Sequence, residues 1–469
     1  MKPVAIIGGG ITGLTAAFWL KSRDIPVRLF EGGDRVGGVI QSVRRGEYLA
    51  ECGPNSILET SPVISDLIRA LGLGTRRVYS GPLAENRYVV RGGKPLVIPS
   101  SPGGFLRTPL FSFPAKMRVL AEPFIGRAPE GVEESIGQFV QRRLGREFLD
   151  YAIDPLVAGI YAGNPQMLSV TQAFPKLHAL EQRYRSLFVG QFLGAKERKR
   201  SGQVSKQDAK KFSFDNGLQV LIDTLQSRLE GEIQTGAPVH CLRRGEDGWT
   251  VDLDHGAALE CGAVLLALPS HKMAALEILG TPPLEIASLS EVQYPPVASV
   301  VLSFHRADVA HALDGFGMLI PEKEGFNILG SLFSSSLFPG RAPEGEVTIT
   351  SYIGGARHPS LALKKADELV ELTLKDLGTI LGVRGRPTFQ HVAVYRQAIP
   401  QYNVGFGKYR ALMNAMELKA PGLFVAGHAR DGVSLGDSMV SGHNAAGKIG
   451  AFFASNPTHF GNLQHPVTV

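Results

Sequence analysis

Cysteine is scarce in this chain: three residues in 469, Cys52, Cys241 and Cys261, with no CxxC pair and no regular spacing. That argues against a disulfide framework or a cysteine-held metal, and fits a reducing compartment. The twelve histidines form no HExxH or similar ligand spacing, so no metal site is expected. Long apolar runs are also missing. No stretch approaches the roughly 18 residues of a spanning helix, so any membrane contact would come from one side. Lys2 before the apolar Pro3–Ile7 imitates a signal peptide, but the run is short and breaks at once into glycines. Basic stripes interleaved with stacking aromatics are absent, which leaves no nucleic-acid module. The balance is mildly basic, +6 with a pI near 9.1. It suits acidic small molecules or an anionic membrane surface. Hydrophobic content of 44% and charged content of 20% describe a globular chain long enough for two to four structural units.

What is present begins at the N-terminus. Pro3 to Ile7 reads as a buried parallel strand, and Gly8-Gly9-Gly10-Ile11-Thr12-Gly13 follows as a GxGxxG. A helical pattern with Leu14, Ala17, Phe18 and Leu20 on one side comes next, then a second apolar strand, Val27 to Phe30, closed by Glu31. Gly8 allows the tight turn, Gly10 lets a pyrophosphate approach the backbone, and Gly13 lets helix and strand pack closely. Phosphates would sit on unpaired helix N–H groups at the positive end of the helix dipole. Glu31 stands where a carboxylate binds an adenosine ribose hydroxyl. A lone GxGxxG is weak, but here strand, helix, strand and acid are in register. The motif alone does not separate NAD from FAD. Asp34-Arg35-Val36-Gly37-Gly38, directly after the acid, resembles the extended fingerprint of FAD enzymes in the amine oxidase group.

Further on, Tyr48 to Cys52 reads as a strand ending in the turn Gly53-Pro54-Asn55-Ser56. Ser61 to Leu71 reads as a helix, with Ser61 as N-cap and Pro62 at the first position. Asn86 to Lys94 reads as a β-hairpin, where Arg87 taken alone would be a solvated face residue. Residues 99–127 mix Phe105, Leu106, Leu110, Phe111, Phe113, Met117, Leu120, Phe124 and Ile125 with Arg107, Lys116, Arg118 and Arg127. Short apolar helices with basic flanks suit an interfacial anchor, and equally a helical subdomain with its own core. Glu133 to Tyr151 reads as a helix, residues 196–211 as a basic solvated loop, and Phe214 to Leu229 as an amphipathic helix. Val239–Leu242 leads into a hairpin, and Ala263–Pro269 reads as a buried strand returning to the parallel sheet. Alternating strands follow at Val297–Phe304, Gly317–Ile320, Asn327–Phe333 and Glu346–Ile353, closed by a helix over Leu361–Leu381. Gly422–Ala426 is a short strand, 427–437 a loop, and Ser438–Phe453 a helix whose N-terminus would face a bound flavin.

Gly432-x-Ser434-x-Gly436 matches the nucleophile elbow of α/β-hydrolases. The elbow needs a sharp strand–Ser–helix turn, and here a long loop separates strand from serine, with Asp437 and His443 in the same helical region. A hydrolase is therefore not expected.

With the N-terminal fingerprint, Gly53–Ser56, AGIYAGNP (Ala158–Pro165), LGSLFSS (Leu329–Ser335), IPQYNVG (Ile399–Gly405) and AGHARDGVSLGD (Ala426–Asp437), the chain closely resembles the protoporphyrinogen oxidase family. The match runs nearly end to end. The resemblance implies an α/β fold: a discontinuous Rossmann-type FAD-binding domain (1–85, 214–292 and 395–469), an inserted helical, membrane-binding domain (86–213), and a mixed-sheet substrate-binding domain (293–394). It implies FAD held by Gly8, Gly9, Gly10, Ile11, Thr12, Gly13, Glu31, Gly32, Arg35, Gly38, Val39, Gly53, Pro54, Asn55, Ser56, Val239, Gly427, Val433, Ser434 and Leu435. Arg87 matches the arginine that pairs with a substrate propionate, and Gly159, Leu319, Leu332 and Tyr352 match positions that sandwich the macrocycle. Two departures stand out: Tyr352, where relatives more often have phenylalanine, and Gly405-Phe406-Gly407-Lys408, where relatives resemble VGHL or VGHW.

The implied reaction is oxidation of protoporphyrinogen IX to protoporphyrin IX in three two-electron steps, with molecular oxygen as acceptor and hydrogen peroxide as product. No catalytic acid–base residue is expected, since the flavin carries the chemistry. The implied setting is cytoplasmic, peripheral on the inner face of the membrane, with monomer and homodimer both open. Coproporphyrinogen III, with four propionates instead of two, is the alternative substrate. A flavin amine oxidase or carotenoid desaturase is the neighbouring enzyme class, but neither explains Arg87 together with AGIYAGNP. A flavin-free binding protein is opposed by intact Gly8, Gly10, Gly13 and Glu31.

Overall fold

The computed structural model describes residues 1–81, 84, 86–129, 131–190, 209–253 and 258–456. Most of the basic stretch read at 196–211 therefore lies outside the described residues.

The first forty residues fold as their pattern predicts. Strand β1 (Val4–Ile7), helix α1 (Ile11–Lys21) and strand β2 (Val27–Phe30) form one βαβ unit. All four residues of β1 are buried because the strand has neighbours on both edges and layers on both faces. Strand β1 lies between Ala263–Leu266 on one side and β2 on the other, parallel to both. Ile233–Gln234 and Leu423–Val425 complete a five-stranded parallel sheet. Period-two alternation splits its side chains between two cores. Val4 and Ile6 pack with α1 and the helices Pro62–Ala70, Gln219–Arg228 and Leu435–Ser455. Ala5 and Ile7 face the four-stranded sheet around Val239–Gly245 and the helix Gly407–Lys419.

The second large sheet has seven strands, in the order 389–395, 297–305, 346–354, 328–332, 315–319, 86–91, 94–97. Every pairing is antiparallel except that of Asn86–Arg91 with Gly315–Leu319. The hairpin read at 86–94 is present, and it extends this sheet instead of starting the helical region. One face of the sheet is closed by the helix Ala366–Leu381 over Val300, Leu302, Met318 and Ile349.

Between 102 and 184 the chain is helical, with a core of its own around Phe139, Val140, Val157 and Leu168. The long helix read at Glu133–Tyr151 is broken. Ile136–Leu144 ends at Gly145, whose φ of 91° suits only glycine, and a π-turn at Leu149–Ile153 precedes the helix Asp154–Tyr161. A buried ion network ties the region together. Arg143 donates to Glu122 and to Glu181, each at 2.5 Å, and Ser186 donates to the other oxygen of Glu122. The helix read at Phe214–Leu229 starts later, at Gln219, because Lys211–Phe214 is a strand paired with Ile57–Leu58 and Arg77–Tyr79.

Candidate active site

The geometry of the GxGxxG turn is made by backbone. Gly8 has φ +109°, and a Cβ there would meet the Ala267 carbonyl oxygen at 2.6 Å. A Cβ on Gly13 would sit 2.0 Å from the Gly8 carbonyl oxygen, so only glycine lets α1 begin this close to β1. Gly10 is different. It has ordinary extended dihedrals, and a Cβ there would meet nothing within 4 Å. Gly10 is also the N-cap of α1 and offers no side-chain cap, so the first amides of the helix are left for a ligand. An open space against bare helix amides fits a pyrophosphate. Glu31 closes the other end: its two oxygens accept from Gly9 N and Gly33 N, both at 2.8 Å, which holds the carboxylate at the tip of β2. Each oxygen keeps a lone pair for a ribose hydroxyl.

The second glycine pair packs on the first. Gly37 N donates to the Gly9 carbonyl at 2.8 Å, and a Cβ on Gly38 would lie 3.6 Å from Gly10 Cα. Arg35 donates to the carbonyls of Val36, Gly38 and Ile40, so its guanidinium stiffens this loop. The Gly53-Pro54-Asn55-Ser56 turn lies against it; a Cβ on Gly53 would be 2.3 Å from the Val39 carbonyl oxygen. Val239 opens its strand beside the acid, with Ala237 N donating to the Glu31 carbonyl at 2.9 Å and Pro238 packed beside Gly32.

The C-terminal helix completes the cradle. Ser434 is its N-cap, accepting from Asp437 N at 3.1 Å, so the helix starts at Leu435 and earlier than its apolar pattern suggests. Its first turns run beside those of α1. Thr12 donates to the Ser438 carbonyl at 3.2 Å, a Cβ on Gly442 would be 2.4 Å from the Thr12 carbonyl oxygen, and Gly427 packs on the Thr12 side chain. Two helix N-termini therefore converge, with Val433 leading into one of them, and their dipoles favour negative charge between them. Ser434, used as a cap, is not a hydrolase nucleophile, and His443 lies edge-on against Trp19.

The other half of the site is the open face of the seven-stranded sheet. Laterally paired residues point to the same side, and so do residues two apart on one strand. One row runs Arg87, Gly317, Leu332, Thr350; the next runs Val89, Leu319, Gly330, Tyr352. Arg87, Leu319, Leu332 and Tyr352 thus share one face. Gly159 comes to it from the helix Asp154–Tyr161: a Cβ there would be 2.7 Å from Leu319 Cδ2. Gly317 and Gly330, which the sequence reading did not single out, leave the floor between these side chains low. A Cβ on either would strike a neighbouring strand's carbonyl, at 2.2 and 2.6 Å.

The two halves are joined by Tyr352. Its hydroxyl accepts from Asn55 Nδ2 at 2.7 Å and donates to the Gly53 carbonyl at 3.3 Å. Burial raises its pKa far above the ordinary tyrosine range, so it is a neutral hydrogen-bonding group. Nearby, Cys52 Sγ lies 3.3 Å from His391 Nε2, and burial pushes the thiol up to about 11. On the cofactor side, burial and then the charge of His271 bring His428 down to about 4, and its Nε2 is buried without a partner. These groups stay neutral near pH 7.

The residues at 99–127 divide into two sets. Leu110, Phe111 and Val119 are buried. Phe113, Met117 and Leu120 project outward from one face of the helix Phe113–Leu120, with Leu106 and Phe124 beside them; Phe124 is 89% exposed. Three of the four basic flanks also bond to backbone. Lys116 donates to the carbonyls of Leu106 and Thr108, Arg118 to those of Arg142 and Arg143, and Arg127 to that of Gln182. These carbonyls lie at the C-terminal ends of helices, so the three side chains cap helix ends, while Arg107 and Arg127 remain exposed.

A model of the flavin-containing amine oxidoreductase family matches residues 11–450. Among curated proteins, the chain is 34% identical to protoporphyrinogen oxidase 2 of Arabidopsis thaliana, covering 97% of this chain and 95% of that one. It is 31% identical to a coproporphyrinogen III oxidase of Bacillus subtilis, covering 95% and 97%. Among solved structures, one from Exiguobacterium sp. 255-15, assigned to protoporphyrinogen oxidase, superposes with a TM-score of 0.80 at 26% identity over 96% of this chain and 98% of that one.

Proposed function

The chain belongs to the flavin-containing amine oxidoreductase family and is an FAD-dependent oxidase of porphyrinogens in tetrapyrrole synthesis, and on that premise we propose that it converts protoporphyrinogen IX to protoporphyrin IX, with molecular oxygen as acceptor and hydrogen peroxide as product. The observation that carries this reading is the shared sheet face: Arg87 at one end, Leu319 and Leu332 along it, Gly159 above and Tyr352 tied to the flavin turn.

FAD, held by Gly8–Gly13, Glu31, Gly32, Arg35, Gly38, Val39, Gly53–Ser56, Val239, Gly427 and Val433–Leu435, would supply the acceptor for hydride. The protein supplies position. Arg87 takes a propionate through two parallel N–H bonds, since guanidinium and carboxylate match in shape. Leu319, Leu332 and the Tyr352 ring bury the apolar macrocycle, and the low floor at Gly317 and Gly330 admits a flat ring. Converging helix N-termini stabilise the negative charge that a reduced flavin carries. No side chain need move a proton at the reacting carbon, in keeping with the neutral groups around it.

We divide the chain into a cofactor domain (1–85, 214–292, 395–469), a substrate domain (293–394) and the inserted 86–213, with the hairpin 86–97 lending its strands to the substrate sheet. The exposed Phe113, Met117, Leu120 and Phe124 rest on a lipid surface from the cytoplasmic side, and the apolar product stays close to it.

Porphyrin fluorescence in air, with protoporphyrinogen IX and coproporphyrinogen III in parallel and peroxide measured in the same samples, tests the function. Faster protoporphyrin formation with stoichiometric peroxide is expected. A preference for coproporphyrinogen would reverse the substrate assignment, and oxidation of neither by flavin-loaded protein would overturn it.

A further inference from the structure

The open face of the seven-stranded sheet ends in two cations that come from different parts of the chain. Arg87 is exposed, and register places it beside Gly317 and Leu332. Lys211 arrives from another sheet. It opens the strand Lys211–Phe214, pairs with Leu58 just beyond the flavin turn, and holds its ammonium 5.2 Å from the ring centre of Phe316, the chain neighbour of Gly317. Among the described residues, neither cation has a carboxylate partner. The acids around them are committed elsewhere: Glu59 to Arg77 at 2.9 Å, Asp215 to Arg76 at 2.8 Å, and Asp314 to the Tyr88 hydroxyl at 2.6 Å.

Such an arrangement is unfavourable in the free protein. Burial, and after it the charge of Arg87, holds the Lys211 ammonium below its ordinary range. Like charges kept near one another at the edge of an apolar surface are stabilised when anions bind there. The Phe316 ring alone gives the ammonium a weak partner.

Resting on the porphyrinogen reading, we propose that Lys211 is a second carboxylate anchor, so that Arg87 and Lys211 each take one of two neighbouring carboxylates on a single edge of a flat apolar macrocycle. The two propionates of protoporphyrinogen IX lie on adjacent pyrroles and form such an edge. Arg87 supplies directional, bidentate recognition; Lys211 supplies a point charge on a flexible stem that tolerates small differences in carboxylate position. Together they fix which edge of the ring enters first, and with it which macrocycle carbon faces the flavin.

The test uses the full-length, flavin-loaded protein with Lys211→Met, Lys211→Arg and wild type. The probes are mesoporphyrin, a redox-inert dicarboxylic porphyrin, and its dimethyl ester, read by fluorescence quenching, alongside turnover of protoporphyrinogen IX. Wild type should bind the diacid more tightly than the diester. Lys211→Met should weaken diacid binding and raise KM about tenfold, equivalent to 1.4 kcal/mol, without a matching loss on the diester. Lys211→Arg should retain most of the preference. Unchanged diacid affinity in Lys211→Met, or an equal loss on acid and ester, would overturn the anchor. If wild type did not turn over protoporphyrinogen IX while diacid binding still depended on Lys211, the function reading would fail and the anchor would stand.

Discussion

The parallel and antiparallel sheets build their halves of the site by opposite means. Around β1 the cofactor cradle is almost all backbone: bare amides, carbonyls and glycines whose Cβ atoms would collide at 2.0–2.6 Å. The side chain we assign to it first is Glu31, itself fixed by two backbone N–H groups. On the seven-stranded sheet the platform is mostly side chain, Arg87, Leu319, Leu332 and Tyr352, placed by register over a floor kept low by Gly317 and Gly330. A backbone site binds what every FAD shares, whereas a side-chain site can be altered one residue at a time without disturbing the cofactor. The family can therefore keep one cradle and vary what lies on the platform.

The sharpest way to break this contrast is Gly10→Val. Its Cβ has open space and its dihedrals suit any residue, so the variant should fold, with a Tm close to that of wild type stripped of flavin, yet purify without flavin absorbance. Retained flavin would show that the cradle lies elsewhere. Next in size is a pH effect confined to the cofactor half. The folded pKa of His428 is depressed to about 4, so below its unfolded value of about 6.5 the unfolded chain binds the extra proton. Stability should be full above pH 6.5 and fall as pH drops from about 6.5 to 4, by about 3–4 kcal/mol at most. Urea melts between pH 7.5 and 5 should show a smaller slope for His428→Gln; an equal slope would assign the loss to other groups. Arg87→Ala acts on the platform alone. It should raise the porphyrinogen KM at least about tenfold, as loss of a charge-assisted pair implies, with flavin occupancy intact. If flavin were lost too, the two halves would not be separable. The smallest effect belongs to the joint. Tyr352→Phe keeps the ring but removes the bond to Asn55, which should cost about 1 kcal/mol in thermal stability and lower kcat more than it alters KM. A variant indistinguishable from wild type would mean that the flavin turn holds its place unaided.

The same contrast decides what could be read in advance. GxGxxG, Glu31 and Gly37-Gly38 are legible because a backbone site must be written in glycines at fixed offsets, and Ser61-Pro62 announces its helix through capping chemistry. The platform was not legible from local pattern. Alternation marks strands without saying which strands meet, and nothing around Asn86–Arg91 shows that it pairs with 315–319. Arg87 is singled out only by resemblance, and Lys211, Gly317 and Gly330 carry no local signal, because their positions on this face arise from lateral neighbours distant in sequence. The basic residues of 99–127 are ambiguous for a related reason. A lysine one or two turns from a helix end caps carbonyls as readily as it faces lipid, and only the packed structure distinguishes the two.

The discontinuity of both sheets also orders events during synthesis. Strand β1 waits for Ala263–Leu266 to gain its second neighbour, and Thr12 waits for Ser438. Arg87 is placed only when Gly315–Leu319 emerges, more than two hundred residues later. Contacts this distant close slowly and late. A nascent chain ending before the C-terminal helix therefore has neither a complete cradle nor, for most of its growth, a platform. Flavin loading then falls to the finished polypeptide, and a ribosome stalled short of that helix releases no partly active enzyme.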